Sequence, residues 1–171
     1  MSEIDMTRHS TLFVSQNGFT IPIPNYSGTT YPDGGIRTSV SDLSKFFAVL
    51  LNDGEIAGGQ LLERKTIQEM TRFQFSDGNR PENFPAEDGN SGLFWRTKFN
   101  GTRMGHGGND PGLQTEMLCN LSKDVGLILF INTSLSGEEG RISGEIFDEF
   151  WKFAESKRNV SREARQVGDA R

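Results

Sequence analysis

The residues best suited to chemistry gather around one histidine. His106 stands in Gly105-His106-Gly107-Gly108-Asn109-Asp110-Pro111-Gly112, an eight-residue run with four glycines. Glycine leaves the backbone open to close approach, and imidazole is the side chain that exchanges protons near neutral pH. N–H groups exposed along such a run suit a developing oxyanion. Acyl transfer would also need a nucleophile activated by a nearby base. The single cysteine, Cys119, lies in an apolar strand-like stretch and reads as a small core residue; alone, it also excludes an intrachain disulfide.

Other chemistries fit poorly. The only histidines are His9 and His106, and neither belongs to an H-E-x-x-H or Cys/His cluster, so no metal is expected. There is no G-x-x-x-x-G-K-[ST] loop, and the glycines around His106 do not make G-x-G-x-x-G, so no cofactor is expected. Glu138-Glu139 reads as a solvated helix start. A net charge of −5 argues against nucleic acid or an anionic membrane as partner. No apolar run approaches the roughly 20 residues of a membrane helix. Met1-Ser2-Glu3-Ile4-Asp5 has no signal-peptide pattern, which places the chain in the cytoplasm if Met1 is the natural start.

The elements that must position His106 can be read from periodicity. Residues 1–36 read as irregular: Phe19-Thr20-Ile21-Pro22-Ile23-Pro24 is too proline-rich for a central strand, and Tyr31-Pro32-Asp33-Gly34-Gly35 is turn chemistry. Ser39-Val40-Ser41-Asp42 opens a helix with Leu43, Phe46, Phe47, Leu50 and Leu51 on its apolar side. A shorter helix is expected over Lys65–Phe73, then a polar loop over 74–91. Leu93–Phe99 and Thr102–Gly107 read as strands joined at Asn100-Gly101, the second ending in the glycine run. Leu113–Asn120 and Val125–Thr133 follow as strands. The apolarity of Val125–Ile131 predicts a strand covered on both faces inside a sheet. Glu138–Lys157 closes as a helix with a wide stripe of Ile142, Ile146, Phe147, Phe150, Trp151, Phe153 and Ala154, and 159–171 reads as a flexible tail. The fold class is α+β: helices first, then an antiparallel strand run closed by a helix.

In order and spacing these pieces resemble the serine β-lactamase-related hydrolases, which include class C β-lactamases, D-aminopeptidases and esterases with the penicillin-recognising fold. Asp33-Gly34-Gly35-Ile36-Arg37-Thr38-Ser39-Val40-Ser41-Asp42-Leu43 resembles the family's GG-then-S/T-x-x-D-L segment, and Gly58-Gly59-Gln60-Leu61-Leu62 its next element. Gly92-Leu93-Phe94-Trp95 resembles the G-L-x-W strand, and His106-Gly107-Gly108 the third active-site motif, K-T-G or H-x-G. Pro111-Gly112, Gly126-Leu127-Ile128-Leu129 and Asn132-Thr133 continue the match, which spans roughly residues 25–155.

The resemblance implies the C-terminal part of a β-lactamase/transpeptidase-like fold, with 37–88 as a portion of the helical lobe and 89–158 as the antiparallel sheet with its C-terminal helix. It implies that His106 takes the first position of the third motif, facing the cleft, and that Gly107 and Gly108 keep the strand edge open. The Asn109 N–H would supply one oxyanion donor and the nucleophile's own N–H the other. Substrates would be small esters, D-amino-acid peptides or β-lactams, and histidine in place of the motif lysine favours the first two.

The sequence departs from the family where the nucleophile should be. The residues three before each lysine are Asp42, Leu62, Trp95, Asn120, Glu149 and Ala154, so there is no S-x-x-K. Tyr26-Ser27-Gly28 and Tyr31-Pro32-Asp33 are not Y-x-N, and Ser15-Gln16-Asn17 fits S-x-N only as a three-residue pattern. In the family these motifs lie upstream, together with the first two strands of the sheet. The expectation is a chain inactive alone, either the C-terminal portion of a hydrolase, half of a split hydrolase, or a non-catalytic binding or assembly module. Its apolar strand would then have an open edge, free for an N-terminal half or for a homo-oligomer.

Overall fold

The computed structural model describes residues 5–169 apart from Asn17, Thr30 and Pro85. In chain order the elements are β1 (Leu12–Gln16), β2 (Phe19–Ile23), α1 (Tyr31–Gly34), α2 (Val40–Leu51), β3 (Glu55–Ile56), β4 (Gly59–Gln60), α3 (Arg64–Thr71), β5 (Arg96–Lys98), β6 (Arg103–Asp110), β7 (Leu113–Asn120), β8 (Gly126–Ile131), β9 (Thr133–Ser134) and α4 (Glu138–Asp169). β5-β6-β7-β8 form an antiparallel sheet, β2-β1-β9 a smaller one, and β3-β4 a short hairpin. The protein is mixed α+β, with helices on both faces of the main sheet.

Alternation along β7 divides the core. Met117 and Cys119 point to one face, where they pack with Met104, Trp95, Phe47 and Leu50 of α2, and Ile67 of α3. Leu118 points to the other, where Val125 and the α4 residues Phe147 and Trp151 cover it. Arg103 fastens α4 to the sheet: its guanidinium lies 4.1 Å from the Trp151 ring centre and 4.4 Å from that of Phe99, and it meets Asp148 at 3.4 Å.

The helix starting at Ser39 is capped as its sequence predicts, with the Ser39 Oγ accepting the Asp42 N–H at 3.0 Å. Its buried side consists of Phe47, Val49 and Leu50, while Phe46, expected on the apolar side, is 57% exposed. Phe46 lies at the margin of the stripe set by Leu43, Phe47, Leu50 and Leu51, outside the contact with the sheet. At the Asn100-Gly101 turn, Phe99, Asn100 and Gly101 all have positive φ.

Four sequence readings need correction. Residues 1–36 contain the β1–β2 hairpin, and β1 also pairs in parallel with β9. The prolines are tolerated because β2 is an outer strand, whose N–H groups need no second partner. The glycine run does not end its strand: β6 continues to Asp110, paired residue by residue with β7. β8 is apolar because α2 and α4 cover its two faces, but among the described strands it is an edge. Apolarity reports on faces and says nothing of edges. Finally, α4 runs on to Asp169 in place of a tail from 159. Met1–Ile4, Asn17 of the S-x-N pattern, and Ala170-Arg171 lie outside the described residues.

Candidate active site

His106 lies on β6 opposite Met117 of β7, with its side chain on the face shared with α2 and α3. Its ring meets the buried Trp95 edge-on at 5.4 Å and 63°, and Trp95 in turn stacks on Phe47 of α2. The chain before Trp95 bends sharply, since Phe94 has φ 65°, and the Phe94 carbonyl accepts a hydrogen bond from the His106 ring. Burial against Trp95 holds the imidazole pKa below its ordinary value; the Phe94 carbonyl opposes this, and the Lys98 charge reinforces it. The residue still presents an open surface, and His106 is therefore a neutral imidazole near neutral pH, seated on an aromatic wall.

The hydrogen-bond ladder determines which N–H groups the site offers. β5 covers only the first part of β6, pairing Arg96 with Gly105, Thr97 with Met104 and Lys98 with Arg103. From His106 to Asp110, that side of β6 has no partner strand among the described residues. Thr97 donates its N–H to Asn90 O at 2.8 Å, away from β6. Thr97–Met104 is therefore a non-hydrogen-bonded pair, and Arg96–Gly105 and Lys98–Arg103 exchange the ladder bonds. N–H directions alternate along a strand, so Gly107 and Asn109 point theirs to the same side as Gly105, out of the uncovered edge.

The glycines also serve the faces of the sheet. A Cβ at Gly107 would lie 2.5 Å from the Lys98 Nζ and 2.7 Å from a Glu116 oxygen, because the Lys98–Glu116 ion pair, 2.8 Å long, crosses β6 over that residue. A Cβ at Gly108 would lie 3.0 Å from the Thr115 Oγ1 on the opposite face. A Cβ at Gly105 would lie 2.1 Å from the Met117 carbonyl oxygen. Glycine is therefore required at Gly105 by the packing of two strands, while at Gly107 it leaves room for an ion pair that no motif in the sequence announces.

A family model described as Beta-lactamase matches residues 4–145. The chain belongs to the β-lactamase family. No curated protein and no solved structure matches it significantly.

At the far end of β6, this β-lactamase-family chain gathers polar groups that motif reading passed over. Tyr26 donates its hydroxyl to Pro111 O at 2.8 Å, and its carbonyl accepts from Arg37, which also contacts the His9 Nε2. Burial and the nearby Asp110 carboxylate push the Tyr26 hydroxyl pKa up, with Arg37 opposing. These residues brace the Pro111-Gly112 turn, where the Gly112 N–H donates to the Ser134 Oγ at 2.7 Å. Their only sequence signal was the polar cluster flanking Gly34-Gly35. Ser15 of the S-x-N pattern donates to Glu139 at the start of α4, so its hydroxyl ties β1 to that helix. Cavities of about 630, 410 and 130 Å³ lie elsewhere, and His106 lines none of them. No metal-ligating cluster occurs among the described residues.

Proposed function

We propose that this chain forms the third-motif wall of a β-lactamase-like serine hydrolase, as the C-terminal portion of the catalytic unit, and is inactive alone. One observation carries the reading: among the described residues, the edge of β6 is uncovered from His106 onward, with the Gly107 and Asn109 N–H groups directed out of it. A tetrahedral acyl intermediate against that edge would place its oxyanion on the Asn109 N–H and on the N–H of a serine supplied from outside these residues. His106, neutral and held by Trp95 and Phe94, would face the reacting centre as a hydrogen-bonding group. None of the six lysines follows a serine at the S-x-x-K spacing, so the wall has no nucleophile of its own.

The substrate class is esters, D-amino-acid peptides or β-lactams. A neutral imidazole offers no permanent cation to a β-lactam carboxylate, which favours esters and peptides. Purified chain incubated with p-nitrophenyl acetate and with nitrocefin is expected to give product at the buffer rate. Turnover abolished by His106→Ala would overturn the reading.

The same uncovered edge supports a second reading, a non-catalytic module that binds an extended peptide by strand addition. It predicts saturable NMR shifts at Gly107 and Asn109 with a short acyl peptide and no product. Absence of shifts at both amides would remove it.

A further inference from the structure

We propose that Lys98 and Glu116 are positioning residues for the acyl-binding edge: their ion pair straps β6 at Gly107, where among the described residues only β7 pairs with it. The inference deepens the wall reading and rests on it, since it concerns the same stretch of backbone. Arg103 to Gly105 are paired on both sides, by β5 and by β7, but His106 to Asp110 are paired with β7 alone among the described residues. Three of the four residues from Gly105 to Gly108 are glycine, the residue that loses most freedom on ordering. An edge that offers N–H groups to an oxyanion must hold them in place beforehand, because donors that reorganise during the reaction lose much of their effect. The ladder to β7 supplies one half of that constraint.

The ion pair supplies the other half. The Lys98 Nζ, from β5, donates to both carboxylate oxygens of Glu116, on β7, at 2.9 and 2.8 Å. Glu116 stands directly opposite Gly107. The bridge therefore runs over Gly107 from one neighbouring strand to the other, so close that a Cβ there would lie 2.5 Å from the Nζ. Alternation puts the bridge on the α4 face, since Lys98 is in register with Arg103, whose guanidinium lies on Trp151. His106 occupies the other face, and the strap leaves the imidazole side of β6 clear. Both side chains are mostly covered, at 34% and 23% exposure, and Glu116 borders a 130 Å³ cavity with Phe99, Leu129 and Phe147. In such surroundings a pair is screened less than one in open water. The Lys98 charge also reaches His106, where it opposes protonation of the imidazole. Lys98 thus acts on the site twice, by contact over Gly107 and by charge on His106.

The ladder determines which amides report the strap. Gly107 and Asn109 turn their N–H groups outward, so His106 and Gly108 turn theirs to β7, where they pair with Met117 and Thr115. Leu118, next along β7, directs its N–H to β8 and is fully buried, so its amide reports global unfolding.

The test is hydrogen exchange followed by NMR on the chain without ligand, for wild type, Lys98→Met, Glu116→Gln, both together, and Lys98→Arg. Each single neutralising variant should speed exchange at Gly108 and Thr115 by about ten-fold relative to Leu118. The double variant should add less than about two-fold to either single one, because the second change removes a partner already lost. Lys98→Arg, which can still bridge, should stay within about three-fold of wild type. The His106 midpoint should rise in Lys98→Met, which removes the cation, and should not rise in Glu116→Gln, which keeps it; mere loosening of β6 would move both alike. Unchanged relative exchange in the single variants, additive losses in the double variant, an arginine variant as loose as Lys98→Met, or an equal rise of the midpoint in both single variants overturns the proposal. Exchange is read without ligand or turnover, so such a failure leaves the wall reading standing, whereas turnover by the chain alone strikes the wall reading and leaves the exchange result intact.

Discussion

Replacing Gly105 by alanine tests whether the strand that carries His106 is held by contact with its neighbour. The new Cβ would fall 2.1 Å from the Met117 carbonyl oxygen and 3.1 Å from the Leu118 Cα, both fixed backbone. The residue also has φ +151°, where side chains are disfavoured. Relief requires β6 and β7 to separate one residue from His106. Overpacking of this kind costs about 1–3 kcal/mol, and an unfavourable backbone adds about 1–3, offset by under ~1 from the stiffer unfolded chain. A net loss near 3 kcal/mol lowers the melting temperature by about 10 °C for a chain of this size. Gly107→Ala is the comparison: its Cβ meets only the ends of the Lys98 and Glu116 side chains, which can swing aside. It should cost at most about 1 kcal/mol, or roughly 3 °C. Calorimetric melts at one protein concentration decide the matter. A Gly105→Ala protein melting within 2 °C of wild type, or a Gly107→Ala protein as damaged as Gly105→Ala, would refute the reasoning.

Other outcomes follow from individual residues. Cys119 is fully buried and its thiol is pushed up to about 11, so the folded chain should resist DTNB at pH 8 and react within seconds once unfolded in urea; prompt native labelling would contradict its core position. His106 should titrate by NMR with a midpoint below 6.5. Because its folded pKa lies below the unfolded one, its contribution to stability is complete above the unfolded pKa and is lost as pH falls toward the folded one; His106→Gln should flatten that part of the pH–stability curve, and an unchanged curve would count against burial on Trp95. Ser39→Ala should cost about 1 kcal/mol in urea unfolding through loss of the α2 cap, and a loss under 0.3 would show that the cap is not felt.

The parts of the fold legible in sequence were those where a local rule coincides with the tertiary outcome. Ser39 and Asp42 announce a helix start, Asn100-Gly101 a tight turn, and Leu113–Asn120 a strand, and each stands where expected. The family also could be recognised from ordered fragments such as Gly92–Trp95 and His106–Gly108. What escaped was non-local. Pro22 hides a strand because its tolerance depends on β2 being outermost, which only pairing reveals. The α4 stripe looked uniformly buried, yet of its residues Phe147, Trp151 and, in part, Ala154 pack against the sheet, since a helix on a flat sheet covers a narrower arc than its apolar residues occupy. Gly107 looked like an opening for ligand, and its second reason, the Lys98–Glu116 bridge, joins strands 18 residues apart in the chain.

The central claim is that the chain bears the wall of an acyl-transfer site and no serine activated to use it. Intact-protein mass spectrometry after incubation with a fluorophosphonate and, separately, with benzylpenicillin tests it most directly. The account predicts an unchanged mass of the chain with both reagents, for wild type and for His106→Ala alike. Stoichiometric acylation of one serine in the wild type, lost in His106→Ala, would contradict it.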